Sequence, residues 1–175
     1  MSENLHRCSI RLKGYDYSQF GAYLITICTH NRECLFEHID NGIIILNVAG
    51  KMVEKWYFEL ENKFHDIQCI DHIVMPNHIH FIIQNVGADL RVCPESNELG
   101  EHTGSPLPRI IQWLKTMSTN EYIRNVKINH WLPFTGKLWQ SNYYEHIVHS
   151  ENELNRIRQY IIDNPAKWIA DENYH

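Results

Sequence analysis

The stretch Ile67 to Gln84 constrains this chain more than any other. It holds two β-rich runs, Ile67 to Val74 and His78 to Gln84, separated by Met75-Pro76-Asn77. Pro76 and Asn77 are turn formers, so the pattern predicts a hairpin or a sharp bend. Side chains alternate along a strand, which puts His78 and His80 on one face and Ile79, Phe81 and Ile83 on the other. Two imidazoles on one rigid face can share a metal ion. Twelve histidines in 175 residues also produce such spacings by chance, so histidines with a purely structural role stay as the alternative.

The flanking segments read as a mixture of strands and helices. Ala22 to Thr29, opened by Gly21, is β-branched and aromatic and reads as a strand; a short strand follows at Gly42 to Leu46. Asn47 is placed to cap a helix running to about Lys63, with Ala49, Val53, Trp56 and Leu60 at helical spacing. Residues 85–108 break the pattern with three glycines, three prolines and four acids against the single Arg91, and read as a long surface loop, an insertion in an otherwise compact domain. A helix is expected from Arg109 to Val126, with Ile110, Leu114 and Met117 on one side. In the last helix Ser150 and Glu153 form a capping box, Leu154, Ile157 and Ile161 give the apolar stripe, and Pro165 ends it.

Composition narrows the class. The length suits one domain spanning residues 1–175, and an apolar content of 43% supplies a core without a disulfide or metal staple. Five scattered cysteines contain no C-x-x-C pair, which argues against a disulfide framework or a cysteine zinc site. No run approaches the ~18 apolar residues of a membrane span, and the N-terminus has no signal-peptide pattern, so a cytoplasmic protein is expected. The formal charge of −5 excludes a uniformly basic nucleic-acid coat but not a local basic patch. Segment 105–140 carries five Lys and Arg with Glu121 as its one acid, read either as a solvated helix face or as a surface for nucleic acid.

Tyr160 and Asn164 share a face of the last helix at a spacing of four. A packing tyrosine followed by a C-terminal cap explains them structurally. The functional reading joins them to the histidines: two imidazoles and an amide oxygen form a three-ligand site open to phosphate oxygens, with Tyr160 one turn away to attack the phosphate. A divalent cation would polarise that phosphate, and a tyrosyl ester would conserve the bond for later rejoining. His146 and His149 are a rival pair without the rigid apolar setting and read as surface residues.

Met75-Pro76-Asn77-His78-Ile79-His80-Phe81 resembles the HUH motif of the single-tyrosine transposases. Leu138-Trp139-Gln140-Ser141-Asn142-Tyr143-Tyr144-Glu145-His146 is similar to their lead-in to the last helix, and Arg158-Gln159-Tyr160-Ile161-Ile162-Asp163-Asn164-Pro165 to their nucleophile helix. With Tyr23 to Thr29, the match closely resembles the REP-associated tyrosine transposases, over roughly residues 5–170 apart from the loop. The resemblance implies an α+β, ferredoxin-like (RRM-like) antiparallel sheet with helices on one side. It also implies Mg²⁺ or Mn²⁺ on His78 and His80, Asn164 as third ligand, and Tyr160 as the nucleophile. The activity implied is that of a metal-dependent endonuclease and strand-transfer enzyme on single-stranded DNA, passing through a 5′-phosphotyrosine. A hairpin-DNA binder of the same fold without turnover is the alternative.

Hairpin DNA is the partner this implies, with a nucleoid association when bound. Candidate phosphate contacts are Arg7, Arg11 and Lys13 near the N-terminus and Arg109, Lys115, Arg124, Lys127 and Lys137 in the basic segment. Tyr143 and Tyr144 are assigned to packing or DNA contact. A monomer with its site completed in cis is expected, a homodimer being the other arrangement the family allows.

Overall fold

A computed structural model describes residues 21–40, 43–86 and 106–170. Its elements are, in chain order, β1 (Gly21–Cys28), β2 (Glu37–Asp40), β3 (Ile43–Leu46), α1 (Val48–Lys63), β4 (Ile67–Met75), β5 (His78–Asn85), α2 (Leu107–Asn129), β6 (Tyr144–Val148) and α3 (Glu151–Asp163), with 3₁₀ turns at His30–Arg32 and Pro165–Ala170. Four strands form an antiparallel sheet in the order β4-β5-β1-β6, and β2 and β3 form a separate two-stranded ribbon. The fold is α+β, as the resemblance implies. Arg7, Arg11, Lys13 and most of the acidic loop lie outside the described residues. At the ends of that loop, Asn85 closes β5, and Leu107 and Pro108 open α2.

The Ile67–Gln84 reading holds: β4 and β5 pair across the Pro76-Asn77 turn, Met75 opposite His78. The Asn47 cap also holds, its Oδ1 accepting from the amides of Ala49 at 2.8 Å and Gly50 at 2.9 Å. Gly50 is required by close approach, since a methyl group there would collide with the Phe36 carbonyl. Two strands escaped the sequence reading: β2, and β6, which lies within the Tyr143 to His149 stretch.

The sheet is covered on both faces. Tyr23, Ile25, Ile27, Ile79, Phe81 and Ile83 face the main core with α1 and α2, which contributes Ile110, Ile111 and Leu114. The alternate residues Leu24 and Ile82 face the other way and meet Leu154, Ile157 and Ile161 of α3. The expectation of helices on one side is therefore corrected for α3, which lies opposite α1 and α2. The reason is visible in β1 and β5, whose near-continuous apolar runs carry a side chain to bury on each face. His78 and His80 share the α3 face, so the helix bearing Tyr160 crosses the histidine pair.

Candidate active site

His78 and His80 sit at the start of the central strand β5, opposite Cys28 and Thr26 of β1. Both are essentially buried, at 0% and 2% exposure. Their Nε2 atoms converge to 3.0 Å, and each Nδ1 is held from behind: His78 by Asn77 Oδ1 at 2.8 Å, His80 by Thr26 Oγ1 at 2.7 Å. Asn77 donates its Nδ2 to the Arg32 carbonyl at 3.3 Å, which fixes the amide orientation and leaves Oδ1 as an acceptor. His78 must then donate from Nδ1, so its Nε2 carries a lone pair. Burial, reinforced by the neighbouring His80 and Arg32, holds the His78 pKa well below the usual histidine value and keeps the ring neutral.

Helix α3 brings the remaining groups over this pair. Ser150 caps it by accepting from the Glu153 amide at 3.2 Å; the Glu153 carboxylate in turn accepts from the His149 amide and from His146 Nε2, each at 2.7 Å. His146 thus anchors α3 to β6. Farther along, Arg158 Nε meets Asp71 Oδ2 of β4 at 3.1 Å. One face of the helix and the turn after it then presents Tyr160, Asn164 and Trp168 at successive turns. Tyr160, 44% exposed, places its hydroxyl 3.4 Å from His80 Nε2, with the two rings edge to face. Trp168 stacks over His78 with ring centroids 5.9 Å apart.

Asn164 is 2% exposed, and neither its Oδ1 nor its Nδ2 has a hydrogen-bond partner. Buried amides are nearly always satisfied, so an orphaned one on the turn between Tyr160 and Trp168 points to a ligand. The donor set fits a divalent cation. Two nitrogens bound side by side at right angles, each about 2.1 Å from one ion, stand about 3.0 Å apart, and 3.0 Å is the Nε2 separation here. Held Nδ1 atoms are what ligating histidines require. Among the described residues no group of three or more His, Cys, Asp or Glu is placed to hold a metal.

Beside the pair opens a cleft of about 530 Å³, lined among others by Thr26, Cys28, Arg32, His80, Tyr143, Tyr144 and Tyr160. Tyr143 and Tyr144 therefore belong to the wall of this cleft. The basic residues of segment 105–140 are distributed differently. Lys115 is turned inward: its ammonium donates to the carbonyls of Gln140 at 2.9 Å, Ser141 at 3.3 Å and Asn142 at 3.1 Å, clamping the loop that borders the cleft. Burial lowers its pKa to about 8. Lys137 lines a second groove of about 470 Å³ along α2. Arg109, Arg124 and Lys127 lie exposed along α2, on the helix layer opposite α3. Sequence reasoning missed Thr26, Asn77 and Arg32. Asn77 adjoins His78 in the motif and could have been found there; Thr26 and Arg32 reach the site only through strand register and a turn.

No protein-family model matches the chain. Its sequence is 34% identical to that of an uncharacterized protein of Haemophilus influenzae, in an alignment of 175 residues covering 97% of this chain and 93% of that protein. The two proteins belong to one family. In three dimensions, a REP-associated tyrosine transposase solved bound to a REP hairpin matches 90% of this chain and 73% of its own, with a TM-score of 0.57 at 16% identity. The chain has the fold of that transposase. Among the described residues no helix is long and apolar enough to cross a membrane.

Proposed function

We propose that this protein is a single-stranded DNA endonuclease and strand-transfer enzyme that uses Tyr160 as its nucleophile and acts on hairpin DNA. The observation that carries the reading is the Tyr160 hydroxyl, standing 3.4 Å from His80 Nε2 in a cleft that both residues line, with the buried His78 imidazole converging on His80 from behind. At 44% exposure, Tyr160 is reachable from solvent while its hydroxyl lies beside the buried histidines. The solved relative in complex with a REP hairpin supports hairpin DNA as the partner.

His78, His80 and Asn164 would hold a divalent cation, Mg²⁺ or Mn²⁺. When bound, such an ion polarises the scissile phosphate and offsets charge developing on it. The chain's own residues supply the rest. Asn77 and Thr26 orient the imidazoles, and α3, anchored by Ser150, Glu153 and Arg158, presents Tyr160 to the cleft. The tyrosine oxygen attacks phosphorus, the bond to the 3′ oxygen breaks, and the phenolic proton is transferred overall to the released 3′-hydroxyl. One phosphodiester replaces another, so the step is close to reversible and the end can be rejoined by the opposite attack.

The test is a denaturing-gel assay of purified protein with Mn²⁺ and single-stranded hairpin oligonucleotides copied from palindromes beside its gene. A protein-linked DNA band absent from Tyr160→Phe is the expected result. Cleavage without a linked band would make water the nucleophile and remove Tyr160 from the role. Tight binding with neither cleavage nor adduct would leave a hairpin-binding module.

A further inference from the structure

The turn after β1 carries an uncommon backbone. Asn31 and Arg32 are consecutive residues at φ 55°, in the left-handed region. Asparagine visits that region readily, but arginine does not, and neighbouring contacts must enforce it. They are present. The Arg32 amide donates to the Thr29 carbonyl at 3.2 Å, and Thr29 Oγ1 contacts the carbonyls of Glu33 at 2.9 Å and Asn77 at 3.0 Å. The amides of Leu35 and Phe36 both donate to the Pro76 carbonyl, at 2.9 and 3.1 Å. The 29–36 segment is thereby fastened to the Pro76-Asn77 turn that leads directly into His78.

This fastening has a consequence for charge. Arg32 is the one Lys or Arg among the described residues lining the cleft of His80 and Tyr160. Its carbonyl takes the Nδ2 of Asn77, whose Oδ1 takes the Nδ1 proton of His78, so one amide fixes Arg32 and the histidine pair to each other. A strained turn that sets an arginine in the wall of the cleft shared by His80 and Tyr160 suits an anionic substrate.

Resting on the reading of Tyr160 as nucleophile, we infer that Arg32 is a catalytic residue whose guanidinium donates to the non-bridging oxygens of the scissile phosphate. A phosphodiester carries one negative charge, and attack by the tyrosine oxygen gathers more on those oxygens before the bond to the 3′ oxygen breaks. A planar guanidinium matches two such oxygens with two parallel N–H donors, which an ammonium cannot do. The left-handed turn sets where that fork begins.

The experiment measures single-turnover adduct formation with Mn²⁺ and the hairpin panel for wild type, Arg32→Ala, Arg32→Gln, Arg32→Lys and Arg32→Gly, together with hairpin affinity and Tm. Arg32→Ala and Arg32→Gln should form adduct about 10²- to 10³-fold more slowly, the usual loss when one charge-stabilising donor is removed. Arg32→Lys should recover part of the rate. Arg32→Gly relieves the backbone, so its Tm should equal or exceed that of wild type while its rate falls with Arg32→Ala. Hairpin affinity should change less than threefold throughout. A rate for Arg32→Ala within threefold of wild type overturns the inference while leaving the Tyr160 reading intact. So does a loss fully matched by weaker hairpin binding, which would make Arg32 a docking contact. Absence of adduct from wild type across the panel overturns the Tyr160 reading, and the role of Arg32 with it.

Discussion

Thr26 Oγ1 lies 2.7 Å from Nδ1 of His80, across the pairing that joins β1 to β5. A hydroxyl donates or accepts with equal ease, so Thr26 serves either tautomer of His80. When His80 Nε2 donates to the lone pair of His78, its Nδ1 accepts from Thr26; when Nε2 is a ligand, Nδ1 donates instead. Thr26→Val keeps the shape and removes both options. Mn²⁺ affinity should fall about 10- to 100-fold by calorimetric titration, and Thr26→Ser should restore most of it. Binding by Thr26→Val equal to wild type would show that His80 needs no such partner.

Asn164 yields the opposite pattern in stability and binding. A buried amide without hydrogen bonds costs about 1–3 kcal/mol, so Asn164→Leu should leave the metal-free protein as stable as wild type or more so. The same substitution should abolish most of the rise in Tm that Mn²⁺ produces, because ligand-linked stability scales with affinity. Differential scanning calorimetry with and without Mn²⁺ measures both. An unchanged Mn²⁺-induced rise would remove Asn164 from the ligand set.

Much of this site was legible because it rests on local signals. The alternation around His78 and His80, the Pro76-Asn77 turn, the Ser150 cap and the i, i+4 spacing of Tyr160 and Asn164 all lie within short windows, and each element follows from its own residues. The face taken by α3 was not read: an apolar stripe says that a helix packs, not against which side of a sheet. The run Tyr23-Leu24-Ile25-Thr26-Ile27 held the missing signal, since a strand apolar at successive positions is covered twice. β6 was hidden by its length of five residues and mixed polarity. Arg32 was invisible because its place depends on a left-handed turn and on contacts some forty residues away.

The basic residues of segment 105–140 should divide by experiment as they do in space. Lys115 is committed to three carbonyls, whereas the exposed Lys137 has its ammonium 3.4 Å from Ser141 Oγ, a long contact. Each phosphate contact contributes about 0.7–0.9 to the slope of log affinity against log salt. Lys137→Ala should lower the slope for hairpin binding by about that much, measured by fluorescence anisotropy between about 50 and 200 mM KCl. Lys115→Ala should leave the slope unchanged and instead cost about 1.5–3 kcal/mol of stability, the usual contribution of hydrogen bonds to a charged donor. A reduced slope for Lys115→Ala would return it to the DNA-facing surface.

His78 makes stability depend on pH in a defined direction. Its folded-state pKa is held well below 6.5 by burial, with His80 and Arg32 adding to the effect, while in the unfolded chain it titrates near the ordinary value. As pH falls below about 6.5 the unfolded state takes up a proton that the folded state refuses, so folding stability decreases, by up to about 1.4 kcal/mol per pH unit for this one group. Above about pH 7.5 both states are neutral there and the contribution is flat. Urea unfolding of metal-free protein between about pH 7.5 and 5 should show this decline, and His78→Gln should reduce its slope by the share of that single proton. Equal slopes for wild type and His78→Gln would mean that the folded protein can protonate His78, which a ring at 0% exposure donating to Asn77 from Nδ1 should resist.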